Sequence, residues 1–187
     1  VTLNSVAGPG EVSITTPMTN PTEAIAGGNI TLLSGAKIST DTKSEAKAGD
    51  IVIRAGNLTL QEWATITSNT TGQGSGSAGT ITIQVNHLTM QGTKEDSASE
   101  ISSQTTNHGG ASGKIEIAAK EDLDMNGRSS ITVSASDTHQ RAGNIVITTP
   151  KLTLADAATI DVRNNFKGSG GGEISIKAQT VTMTGKT

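Results

Sequence analysis

One phrase constrains this chain more than any other feature: glycine, any residue, Ile or Val, any residue, Ile. Its first apolar residue falls at Val12, Ile51, Ile81, Ile115, Ile145 and Ile174, at intervals of 39, 30, 34, 30 and 29 residues. A second phrase, apolar-x-apolar, follows at Ile30/Leu32, Leu58/Leu60, Leu88/Met90, Leu123/Met125, Leu152/Leu154 and Val181/Met183. A third comes at Ile38, Ile66, Ile101, Ile131 and Ile160, with Ala or Ser two residues earlier. The order within each unit is constant. Self-similarity at such a period marks a repeat architecture.

Alternation with period two puts each apolar pair on one face of a short strand. Three such strands cannot bury that face alone, but stacking each unit on the next does so, about 4.8 Å per unit. The predicted fold is therefore all-β: a right-handed parallel β-helix, three short strands per coil, with about five to six coils of roughly 30 residues. Each buried Ile, Val or Leu contributes roughly 1.5–3 kcal/mol to such a core. The sequence contains one Trp, one Phe and no Tyr, which suits a narrow aliphatic core better than a globular one filled by rings. The glycine before each first strand predicts a corner that needs either positive φ or close passage of neighbouring backbone.

The whole chain, residues 1–187, reads as one β-helical segment. Two units are longer than the rest. Ile14 to Ile30 spans 16 residues where Ile53 to Leu58 spans 5, and Met90 to Ile101 spans 11 where Leu60 to Ile66 spans 6. These differences predict surface insertions near 15–29 and 91–100, where binding residues often sit. Val1-Thr2-Leu3 reads as a second strand, as does Val181-Thr182-Met183, so both ends fall mid-coil and the segment reads as part of a longer solenoid or fibre. Uncapped solenoid ends invite end-to-end association. The opening residues lack a basic n-region and an apolar h-region, as expected of a mature piece if the protein is exported.

Net charge is −3, without a basic footprint for nucleic acid. No apolar run approaches membrane-spanning length. The absence of cysteine excludes disulfides and thiolate metal sites.

The stretches "GNITLLSGAKIST" (28–40), "GNLTLQEWATITSNTTGQGSGSAGTITI" (56–83) and "AGNIVITTPKLTLADAATIDV" (142–162) resemble filamentous-haemagglutinin-type exoproteins, the secreted partners of two-partner secretion systems in Gram-negative bacteria. The resemblance covers nearly the whole chain from about Pro9. It implies a right-handed β-helical stalk, export through an outer-membrane transporter, and adhesive or structural work at the outer cell surface. Its partners would be a host or neighbouring-cell surface, protein or glycan, or copies of the chain stacked end to end.

Enzymes that act on polysaccharides also use this architecture, and they need carboxylates gathered on one outward face. On the first strand the outward residues are Ser13, Val52, Thr82, Glu116, Val146 and Ser175, flanked by Asp50, Thr80, Lys114, Asn144 and Glu173. In this register adjacent coils place no two acids together, so no catalytic site is expected. His87, Asp122 and Lys151 stack on the second strand; a His–Asp pair can serve acid–base chemistry, but no nucleophile accompanies it and a surface ion pair is the simpler reading. His108 and His139 lack ligand spacing, and neither a metal nor a cofactor is expected. Thr31, Thr59, Thr89, Thr153 and Thr182 form an outward rank interrupted by Asp124, flanked by bulky mixed residues and fitting a solvated strand face. Candidate contact residues are Trp63, at the corner matched by Gly35, Arg128 and Ala157, Phe166 in a Gly-rich loop, and Lys94, Glu95 and Asp96 in the second insertion. The expected function is a non-enzymatic, secreted or surface-exposed adhesive stalk. The alternatives are a self-assembling extracellular fibre subunit and, further off, a polysaccharide-active enzyme.

Overall fold

The computed structural model describes residues 2–4, 11–15, 28–43, 45–71, 76–92, 98–106, 110–136, 142–164 and 171–185. Strands form where the three phrases repeat, and every strand pairing among them is parallel. The third phrase builds a separate sheet of six strands, β1 (Thr2–Asn4), β4 (Lys37–Ser39), β7 (Thr65–Thr67), β9 (Glu100–Gln104), β11 (Ser130–Ala135) and β14 (Thr159–Asn164). The first phrase gives β2 (Glu11–Thr15), β5 (Asp50–Arg54), β12 (Ile145–Thr148) and β15 (Ile174–Lys177). The second gives β3 (Ile30–Leu32), β6 (Asn57–Gln61), β13 (Lys151–Ala155) and β16 (Thr180–Thr184). In β8 (Thr80–Gln91) and β10 (Lys114–Asn126) both phrases run on without a break, which joins these two faces into one sheet of ten strands. The molecule is a β-solenoid with roughly three strands per coil.

The register is that of the repeat. Ile51, Ile81, Ile115, Ile145 and Ile174 pair in succession, as do Leu58, Leu88, Leu123, Leu152 and Val181. On the third face Ile38, Ile66, Ile101, Ile131 and Ile160 form the matching column. Most of these side chains are fully buried, and together they make one continuous core. At the final rung Ile174, Ile176, Val181 and Met183 continue the columns but are exposed.

Of the two alternatives for the glycines before the first strand, close approach is the one realised. A Cβ on Gly79 would lie 2.2 Å from the Gly49 carbonyl oxygen, on Gly113 1.8 Å from that of Gly79, and on Gly143 1.7 Å from that of Gly113. Each glycine therefore seats the backbone of its successor. Buried hydroxyls from the third face complete this corner: Thr40 and Ser68 donate to the Gly49 carbonyl at 2.6 and 2.7 Å, and Ser103 to that of Gly79 at 2.7 Å.

Two features depart from the sequence-based expectation. Residues 2–4 belong to the third face, not the second, with Leu3 opposite Ile38. The alternating pattern is shared by all three faces, so it cannot choose among them. Chain order does, because β2 follows on the first face and the strand before it must lie on the third. The second departure is a bulge in β10, where Lys120 and Glu121 lie against the single residue Asn86, between the pairs Val85–Ala119 and His87–Asp122.

Candidate functional site

Among the described residues, the corner between the second and third faces carries a distinct conformational signature. There the chain turns through pairs of consecutive left-handed residues: Ser34 and Gly35 (φ 50 and 78), Glu62 and Trp63 (51 and 63), Gly127 and Arg128 (58 and 64), Asp156 and Ala157 (50 and 66). Each pair is closed by a bond from an amide to the carbonyl three residues earlier: Ala36 to Leu33, Ala64 to Gln61, Ser129 to Asn126, Ala158 to Ala155. Positive φ at both central positions, with that closure, makes these type I′ turns. A non-glycine residue held in this region costs roughly 1–2 kcal/mol. It persists because the stack over-determines it: the Gly35 amide donates to the Glu62 carbonyl at 2.7 Å, and that of Arg128 to Asp156 at 2.9 Å.

Trp63 is therefore the third residue of such a turn, and it is 53% exposed. One coil before it Leu33 is 49% exposed, and the Ser34 hydroxyl donates to the Glu62 carboxylate at 3.0 Å. One coil after it Gln91 pairs with Gln61, their side-chain amides bonded at 2.7 Å. The residues that flank the second insertion, Gly92 and Glu100, belong to the rung stacked on this corner. The insertion's anchors are the Gly92 amide, bonded to the Asn126 carbonyl at 3.1 Å, and the Glu100 amide, bonded to that of Ala64 at 3.0 Å. Lys94, Glu95 and Asp96 lie outside the described residues, as do Phe166, His108, His139 and most of the first insertion. The equivalence of Gly35, Trp63, Arg128 and Ala157 was readable from spacing; their left-handed backbone was not. The glycines at central positions of two of the turns, Gly35 and Gly127, are the sequence signal that could have given it.

The second-strand register brings His87 against Asp122, Nδ1 to Oδ2 at 2.9 Å, and the β10 bulge adds Glu121, whose Oε2 lies 3.2 Å from Nε2. A neutral ring can donate to only one of these carboxylates. Since the two acids sit on opposite ring nitrogens, they do not converge on one point. Among the described residues no group of three or more His, Asp and Glu is placed to hold a metal ion. The threonine rank has the expected register, Thr31, Thr59, Thr89, Asp124, Thr153 and Thr182 in succession.

On the first face the expectation that no two acids stack fails at one step. Glu11 pairs with Asp50 across β2 and β5, one rung before the flanking column read from sequence. Asp50 is engaged structurally, accepting from Lys47 Nζ at 3.0 Å and from the Thr80 amide at 2.7 Å.

The third face carries a polar column at its end. Asp41 Oδ1 accepts from the Asn69 amide at 2.8 Å, and Asn69 Oδ1 accepts from the Gln104 amide at 2.8 Å. Side-chain oxygens here take up main-chain donors of the next coil. Burial pushes the Asp41 carboxyl up, but the Lys37 ammonium at 2.7 Å, the Asn69 amide and the Ser39 and Thr67 hydroxyls outweigh it, holding its pKa below the ordinary 3.8.

No family model, curated protein or solved structure matches this chain. What it does must be argued from its own geometry.

Proposed function

We propose that this chain is a non-enzymatic stalk segment of a secreted or surface-exposed adhesive protein of a Gram-negative bacterium. In this reading it is a rigid spacer that presents contact residues at one corner. The observation that carries the reading is a contrast within the molecule. The interior columns, the glycine seats and the corner turns repeat from coil to coil, so each unit adds about 4.8 Å of axial length and little else. Among the described residues, the exposed Leu33 and Trp63 and the residues that flank the second insertion adjoin at one corner. A chain selected for reach and display needs both features.

The resemblance of the Gly-x-Ile-x-Ile, Leu-Thr-Leu and Ala-x-Ile phrases to filamentous-haemagglutinin-type exoproteins supports the same reading. It adds an outer-membrane transporter as the export partner of the parent protein and the surface of a host or neighbouring cell as the target. In a cell-attachment assay with the purified chain, removing residues 93–97 should reduce attachment several-fold while circular dichroism keeps its β signature. Attachment unchanged by that deletion, and by deletion of the first insertion, would remove the display role.

A further inference from the structure

We infer that the Ser99 hydroxyl latches the corner from which the second insertion departs, so that folding is indifferent to the identity and length of residues 93–97. This goes beyond the display reading and does not rest on it. In four coils the corner is shut by the amide of Ala36, Ala64, Ser129 or Ala158, bonded to the carbonyl three residues earlier. Register marks the same two positions in the coil of β8 and β9. Gln91 stands between Gln61 and Asn126, and Ser99 precedes Glu100, which pairs with Thr65 and Ser130. Residues 92–98 separate the two positions here, where residues 62–63 do so one coil earlier. A type I′ turn cannot join them, yet the Ser99 hydroxyl donates to the Gln91 carbonyl at 2.8 Å. The residues joined are those the turn joins in its neighbours, and the donor is a side chain.

Ser129 supplies an internal control. It holds the same position, its amide closes a turn onto Asn126 at 3.3 Å, and its buried hydroxyl meets no hydrogen-bond partner. A serine hydroxyl at this position is thus bonded where the insertion interrupts the turn and idle where the turn is intact. Ala36, Ala64 and Ala158 close their turns with no hydroxyl at all. Ser99 is fully buried, which spares its bond competition from bulk water. The flanks are also tied to both neighbouring coils, Gly92 to Asn126 and Glu100 to Ala64. Gly127 packs so closely on Gly92 that an added Cβ would collide with the Gly92 carbonyl. Every one of these contacts lies outside residues 93–97, and the entropy of closing a loop grows only with the logarithm of its length.

Urea unfolding followed by circular dichroism compares the 187-residue chain with Ser99→Ala, Ser129→Ala and two loop variants. The loop variants carry Gly/Ser residues in place of 93–97, one at equal length and one at twice that length. Ser99→Ala removes the latch and should shift the folding equilibrium roughly tenfold toward the unfolded state. Ser129→Ala removes an unbonded buried hydroxyl and should lose nothing. Both loop variants should stay within about threefold of the parent. A Ser99→Ala chain that fails to fold, beside a Ser129→Ala chain that folds, is the expected result in stronger form. Equal effects of the two serine changes overturn the proposal, as does a loop variant as damaged as Ser99→Ala. These readouts are of stability and the display reading is tested by attachment, so either can fail without the other.

Discussion

Asp41 shows how single side chains hold one coil to the next. Its carboxylate takes the Asn69 amide of the following coil at 2.8 Å, the Lys37 ammonium at 2.7 Å and the Thr67 hydroxyl at 2.9 Å. These contacts favour the charged form, so the folded pKa lies below the unfolded value near 3.8. A depressed carboxyl contributes stability that is present above the unfolded pKa and lost as pH falls through the folded one. Asp41→Asn should therefore lower stability at pH 7. The gap between variant and parent should shrink as pH drops below about 3.8, as read by urea unfolding at a series of pH values. A gap that stays constant from pH 7 to pH 2 would mean that the charge of Asp41 adds nothing. This column was not legible in the sequence, since Asp41, Asn69 and Gln104 share no residue type. What they share is an oxygen placed to accept a neighbouring amide.

At the scale of strands and turns, glycine does two different jobs that a sequence pattern cannot separate. Gly113 is a seat, where an added Cβ would lie 1.8 Å from the Gly79 carbonyl oxygen. Gly35 is a conformer, with open space around it and φ of +78. Gly113→Ala forces backbone apart across a coil and should cost about 3 kcal/mol. Gly35→Ala only places a methyl group in the left-handed region and should cost about 1 kcal/mol. Equal losses in denaturant unfolding would contradict this division. Most strands were legible to within a residue or two, because alternating Ile and Leu leave little freedom once the period is known, but the fusion of the first two phrases in β8 and β10 was not. The face assignment of Leu3 was not, because it depends on chain order, and the bulge at Lys120-Glu121 leaves only one trace, the 6 residues from Ile117 to Leu123 against 5 from Ile83 to Leu88. Of the candidate contact residues, Trp63 is singled out by its mismatch with Gly35, Arg128 and Ala157. The reason the mismatch matters, a left-handed turn, needed coordinates.

As a whole molecule the chain is a stack in which every rung repeats the one before, and the proposed function depends on that stack being stiff. A spacer that bends between coils would not project a contact corner. The absence of cysteine makes this directly measurable, since spin labels can be placed without background. Thr31 and Thr182 are exposed and lie in one column, linked rung by rung through Thr59, Thr89, Asp124 and Thr153. At about 4.8 Å per rung, their backbones stand about 24 Å apart. Labels on Thr31→Cys and Thr182→Cys, read by double electron–electron resonance, should give one narrow distance distribution centred near that separation after allowance for the label arms. A broad distribution, or a centre well away from it, would contradict the rigid in-register solenoid on which the account rests.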